Sequence, residues 1–332
     1  MSADIQRNSA LDFTKGALVL LMLLYHWINY FVSTEGAIYT YLRFVTSSFI
    51  FITGFLTSSI YPAKHEFNYF YVFERLVQRG IKLLVIFTVL NVLANLIFSA
   101  NYRGEMPGVQ GFFDRAGDIY ISGNAKSSFW VLLPIGYFLP IAGTLLLVGG
   151  GSRLFLQVVL CSVMLSIVVL NLWSVSSANL EMLGVGVLGL VCGTYPVNKV
   201  QRVFNHLLIL GPLYIGYTLA ISIWGVPYIL QLVGVCLNVV LIYMAAIRCS
   251  VMRTVYDRVV TLGQYSLFGY IAQIGILHFL RKLMDHVDFP AALVLSISLI
   301  SAGFLTIFSV MVLDEAKKKF SVIRSLYEGV FA

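Results

Sequence analysis

Apolar runs of about 20 residues recur along most of this chain, and a helix of that length spans the hydrocarbon core of a bilayer. The first lies in LDFTKGALVLLMLLYHWINYF, Leu11 to Phe31. In lipid the backbone must satisfy its own hydrogen bonds, so only helices and closed barrels cross. A barrel would show alternating segments of about ten residues, and the sequence lacks that pattern. With 59% hydrophobic and 11% charged residues among 332, and a mean hydropathy of +0.88, little is left for a soluble domain. The expected fold is an all-α polytopic membrane protein, a single transmembrane domain over residues 1–332. About ten spans are expected, near 16–33, 38–60, 79–99, 128–148, 154–173, 180–197, 206–224, 227–247, 261–281 and 290–313. The Gly16–Val32 stretch is long for a signal-peptide core and no small-residue cleavage site follows it, so it reads as a retained helix.

The net charge of +7 is explained by topology rather than by nucleic acid. With the N-terminus in the cytoplasm, the inner segments hold most of the lysines and arginines. The outer segments hold only Arg103, Arg115, Lys126, Arg281 and Lys282. This positive-inside bias predicts that both termini are cytoplasmic. The longest polar segment, Ala100–Ser127, falls outside and reads either as a solvated loop or as a lid over an outward-facing acceptor site. Cys161, Cys192, Cys236 and Cys249 show no CxxC spacing and read as small core residues. No metal-ligand spacing, HExxH, phosphate loop or GxSxG elbow is present, so no metal or permanently bound cofactor is expected. The absence of a repeat or of inverted halves weakens a transporter reading.

His26 stands inside the first span, and ionisable groups in a membrane are functional by default. Eleven steps of 100° bring Lys15 and His26 to within about 20° of one helical face, roughly 16 Å apart along the axis. Lys15 then sits near the cytoplasmic headgroups and His26 deep in the membrane. A cation at the mouth and a base in the depth suit a long anionic ligand such as coenzyme A. His26 can serve as general base or nucleophile. Asn29 and Tyr30 follow on the same side and are placed to orient its ring. The bland reading is a packing histidine bonded to a neighbouring helix, with Lys15 paired to Asp12 one turn earlier.

Other positions join this set. In the second span Thr53 and Gly54 permit close approach of a helix or ligand. Arg43 in the same span reads as a snorkelling cation or as the acceptor-side lining of a path to His26. In FERLVQRGIKLL, Arg75, Arg79 and Lys82 recur at i, i+4 and i+7, so one face entering the third span is cationic. That face suits a nucleotide diphosphate or anionic lipid headgroups. Asn91, Asn95, Asn171, Gln231, Asn238 and Gln273 read mostly as interhelical glue. His65, His206, His278 and His286 look scattered.

Together these features resemble the membrane-bound acyltransferase-3 family, which includes O-antigen and other glycan O-acetylases. That family has a basic residue, ten intervening residues and a histidine on its first span, as Lys15 and His26 stand here. FITGF (Phe51–Phe55), ERLVQRGIKLL, SSFWVLLPIGYFLP (Ser127–Pro140) and LGQYSLFGYIAQ (Leu262–Gln273) are similar to its later segments. Lysine replaces the usual arginine at 15, and Gln273 occupies the position of a usual histidine. The resemblance implies transfer of an acyl group, most simply acetyl from acetyl-CoA as co-substrate, to a hydroxyl of a sugar, glycan or lipid-linked acceptor. His26, Asn29 and Thr53 would serve catalysis, Lys15, Arg75, Arg79 and Lys82 the acyl-CoA, and Arg43 the acceptor side. It also implies residence in a bacterial inner membrane. The competing reading is a transporter or flippase for an anionic or lipid-linked solute, with His26 as proton relay.

Overall fold

The computed structural model describes residues 8–32, 37–98, 112–113, 116–123, 127–195, 207–225, 227–248, 253–286 and 290–331, which are helical with no strand among them. In chain order the helices are α1 (Ser9–Phe31), α2 (Ala37–Leu42), α3 (Phe44–Ser59), α4 (Tyr61–Lys64), α5 (Tyr69–Phe98), α6 (Leu132–Gly149), α7 (Arg153–Leu172), α8 (Ala178–Gly193), α9 (Leu207–Trp224), α10 (Tyr228–Arg248), α11 (Arg253–Gln264), α12 (Ser266–Met284), α13 (Ala291–Lys319) and α14 (Ser321–Phe331). A short π-helix covers Asp118–Ser122. Seven helical segments are long and apolar enough to cross a membrane, α11 with α12 forms an eighth bent by 90°, and Ala178–Gly193 and Leu210–Trp224 are shorter apolar helices. Each expected span therefore has a helix, but several boundaries move. α1 begins at Ser9 because Asn8 caps it, accepting from the Ala10 and Leu11 amides, a strong start signal. α5 begins at Tyr69, ahead of the expected 79. The ninth expected span is broken at Tyr265, and the last runs on to Lys319.

The described residues form two compact units. The first comprises Met1–Ser48 and Gln201–Ala332, and within it α1 packs on α10, α11, α12 and α13. Glycine sets how closely α1 and α11 approach. A Cβ on Gly16 would strike the Val259 carbonyl, and one on Gly263 the Asp12 carbonyl. Small residues at facing positions are how membrane helices bring backbones together, since lipid supplies no hydrophobic drive between helices. Further along, Gly269 faces Val19 and Val310, and Leu23, Leu277, Leu280 and Ala302 close into one buried cluster. α14 is amphipathic: Tyr327 and Phe331 turn back onto Tyr265 and Phe268, while Val322, Leu326 and Val330 stay exposed.

The second unit comprises Phe49–Val200. Its α5 and α6 meet through Gly80, which lies against Pro140 and the Gly136 carbonyl. Gly54 lies against the Gly186 carbonyl and Gly189 against that of Phe51, so the close approach expected at Gly54 is made by α8. Ser58 donates to the Leu190 carbonyl at 2.7 Å across the same pair. Part of the long polar segment is docked rather than solvated. The π-helix is held by Asn179, which donates to the Tyr120 and Ile121 carbonyls, and by Tyr137, which donates to Tyr120 O at 2.9 Å. Ile119 and Phe112 are buried; most of the rest, including Arg103, Arg115 and Lys126, lies outside the described residues. Cys161 is exposed, contrary to the core reading, and Cys192 and Cys236 are half-buried; Cys249 lies outside the described residues.

Candidate active site

In the first unit, α1 carries His26 five residues before its end. The His26 Nε2 atom is buried and has no hydrogen-bond partner among the described residues. Its ring meets Tyr25 edge-on at 5.4 Å between centroids and approaches Tyr270 of α12 at 6.0 Å. In the tautomer that places the proton on Nδ1, a buried Nε2 without a partner offers its lone pair to a proton or a carbonyl carbon, at the cost of its desolvation. The bland sequence reading, a histidine whose role is to bond a neighbouring helix, finds no such bond at this nitrogen.

One turn on, Tyr30 does not orient His26 as expected. Its hydroxyl is 2.6 Å from His278 Nε2, with the rings edge-on at 4.8 Å. Far from being scattered, His278 is buried in α12 and meets the same helix that carries His26. Arg281 donates to the Tyr30 carbonyl at 2.9 Å, and Trp27 donates to Ser298 of α13 at 2.8 Å. These ties hold the His26 end of α1 against two helices. Asn29 is half-buried one turn beyond His26.

Lys15 shares a face with His26, since α1 is continuous over both. Its Nζ lies 2.6 Å from Asp12 Oδ1, and the aspartate side chain is only 6% exposed. The paired reading is thus the one found, and it reduces the positive charge Lys15 offers to a phosphate. Arg43 is exposed at the turn between α2 and α3.

Thr53, Arg75, Arg79 and Lys82 belong to the second unit. The Thr53 hydroxyl donates to the Phe49 carbonyl of its own helix at 2.8 Å, so the proton it would offer in catalysis is already engaged. Arg75, Arg79 and Lys82 do share one face, because α5 runs unbroken beneath them. Arg75 Nε donates to Tyr71 OH at 2.9 Å and its guanidinium lies 5.2 Å from the Tyr71 ring centroid. Arg79 donates to Tyr61 OH. His65 packs edge-on against Tyr71 at 4.9 Å. Burial first, then the Arg75 and Lys64 cations, hold the His65 imidazole below its ordinary pKa. This is a cationic patch with phenolic walls, of which only the arginines and Lys82 were legible as a periodic face. Tyr61 enters it from the start of the short α4 and His65 from the turn that follows, which no periodicity reports.

The polar residues expected as glue divide. Gln231 bonds Ser47 at 2.6 Å across helices, but Asn91, Asn95 and Asn238 donate to carbonyls four residues back on their own helices. A family model described as an acyltransferase domain matches residues 8–314, from the cap of α1 into α13. No curated protein and no solved structure matches the chain.

Proposed function

This chain belongs to the acyltransferase-3 family and is an integral membrane acyltransferase, and we propose that it moves an acyl group, most simply acetyl, from acyl-CoA to a hydroxyl of a sugar, glycan or lipid-linked acceptor. The observation that carries this reading is the buried His26 Nε2 with no partner among the described residues, in a helix that the acyltransferase match covers. As the acceptor hydroxyl adds to the thioester carbonyl, its proton goes to His26 Nε2. Collapse of the tetrahedral adduct breaks the C–S bond, and the leaving sulfur takes that proton. A two-step route, in which Nε2 itself attacks and passes the acyl group on, uses the same atom and divides one hard step into two. Family membership favours this chemistry over proton relay in a transporter.

The cationic face of α5 is proposed to bind the donor's phosphates. Arg79→Ala is expected to raise KM for the acyl donor on the order of tenfold with little change in kcat, the pattern of lost uniform binding. Lys15 contributes less while Asp12 neutralises it. The His65 shift adds a pH signature. Because its pKa is lowered, His65 is neutral at pH 7 and gains charge on acidification, and a bound anion raises its pKa in return. Affinity for CoA in wild type relative to His65→Gln should therefore rise a few-fold between about pH 7 and 5.5. Titration calorimetry at both pH values reads this, and equal affinities for the two proteins at both would remove His65 from the patch.

The reading as a whole is tested by incubating the purified protein with radiolabelled acetyl-CoA and no added acceptor. Slow thioester loss or label retained on the protein is expected, together with a CoA-dependent rise in melting temperature. If acetyl-, succinyl- and longer acyl-CoA are all neither bound nor consumed, CoA is not the donor.

A further inference from the structure

The catalytic steps above leave unused a buried polar pair on α12 and α13. Gln273 of α12 is fully buried, and neither Nε2 nor Oε1 has a hydrogen-bond partner among the described residues. Thr306 of α13 is also fully buried, and its Oγ1 likewise has no partner among them. Thr306 breaks a local habit. Thr14, Thr53, Thr57 and Thr88 each donate to the carbonyl four residues back, the usual way a helix absorbs a threonine hydroxyl.

The two side chains belong to one layer. α12 and α13 run in opposite senses. Gly269 faces Val310 in one layer, and Leu277 joins Ala302 in another. Midway between, one helical turn from each, stand Gln273 and Thr306. α1 borders the same stretch, with Val19 at the first layer and Leu23 at the second. Gln273 also stands three residues, about one helical turn, beyond Tyr270, whose ring is 6.0 Å from that of His26.

We propose that Gln273 and Thr306 bind the carbonyl oxygen of the acyl group being transferred, resting on the reading of His26 given above. When the nucleophile adds to the carbonyl carbon, the C=O pair moves onto oxygen. The Gln273 Nε2–H and the Thr306 Oγ1–H donate to that oxyanion. When the carbonyl re-forms, the C–S bond breaks, its electron pair leaves with sulfur, and the two donors return unchanged. Donors already desolvated and aimed at developing charge need no reorganisation as the reaction proceeds, which is where such groups act most strongly. An amide suits this place because it donates at any working pH and cannot compete with His26 for the proton.

The test uses the full chain in detergent with radiolabelled acetyl-CoA, comparing wild type, Gln273→Leu, Gln273→His, Thr306→Val and the Gln273→Leu/Thr306→Val pair. Gln273→Leu should lower kcat by about 100-fold or more, the effect of losing one oxyanion donor, with KM within about twofold. Thr306→Val, nearly isosteric, should lower kcat by roughly tenfold, and the double variant should lose less than the product, since both donors serve one oxygen. Gln273→His should add to the pH–rate profile an ionisation that wild type lacks. Unchanged kcat in Thr306→Val and Gln273→Leu, whatever their melting temperatures, would overturn the proposal. If Gln273→Leu fails to fold, Thr306→Val and the pH profile of Gln273→His decide. A wild type that consumes no acyl-CoA overturns the His26 reading first, and that result is distinct from an active wild type with active variants.

Discussion

His26→Ala is expected to lower acyl transfer by roughly 1,000-fold, about 4 kcal/mol of transition-state stabilisation, while the protein stays folded and inserted. The large kinetic effect follows from the role of Nε2 as the proton acceptor or nucleophile. The small structural effect follows from its surroundings: the nitrogen makes no hydrogen bond among the described residues, so removing it orphans no partner. The neighbouring ties, Trp27 to Ser298 and Arg281 to the Tyr30 carbonyl, remain to hold α1. Label transfer from radiolabelled acetyl-CoA, read beside the melting temperature and gel-filtration profile of each protein, checks both halves. Turnover at the wild-type rate in His26→Ala would remove this residue from the chemistry. A sharp loss of folding with it would make His26 a packing group.

Gly263→Val should be the most damaging single change to the fold. A Cβ at this position would strike the Asp12 carbonyl, with the Gly16 amide close behind. Backbone cannot rotate aside as a side-chain tip can, so α1 and α11 would have to part. Overpacking of this kind costs about 1–3 kcal/mol where neighbours can yield, and more where they are backbone. The same shift would disturb Asp12, which holds Lys15. Gly216→Ala makes a matched control, since nothing lies within 4 Å of a Cβ there, and it should leave the melting temperature unchanged or slightly raised. A wild-type melting temperature in Gly263→Val would mean that the two helices do not meet at this point.

Much that matters here is local, and local pattern was enough to read it. The apolar runs called for helices because lipid leaves the backbone no other partner. The i, i+4 and i+7 spacing of Arg75, Arg79 and Lys82 put them on one face as soon as α5 was continuous. The three-residue spacing of Asp12 and Lys15 made their pairing available in advance. Asn91 and Asn238 show the limit of that reasoning. A buried amide can satisfy itself on its own helix or on a neighbour, and the sequence carries no mark of which.

The order of residues along the chain was therefore enough to specify the solvent, the helices and the residues that share a face, including His26 as the ionisable group inside the first span. Which faces meet came only with the packing of helices against one another. It engaged Tyr30 with His278, 248 positions away, broke the ninth span at Tyr265 with a 90° bend, and set Gln273 and Thr306 in one layer through the Gly269–Val310 and Leu277–Ala302 contacts. Helical period depends on neighbours three and four residues away. Pairing between helices depends on where glycine lets two backbones close up, and that is a property of two surfaces together.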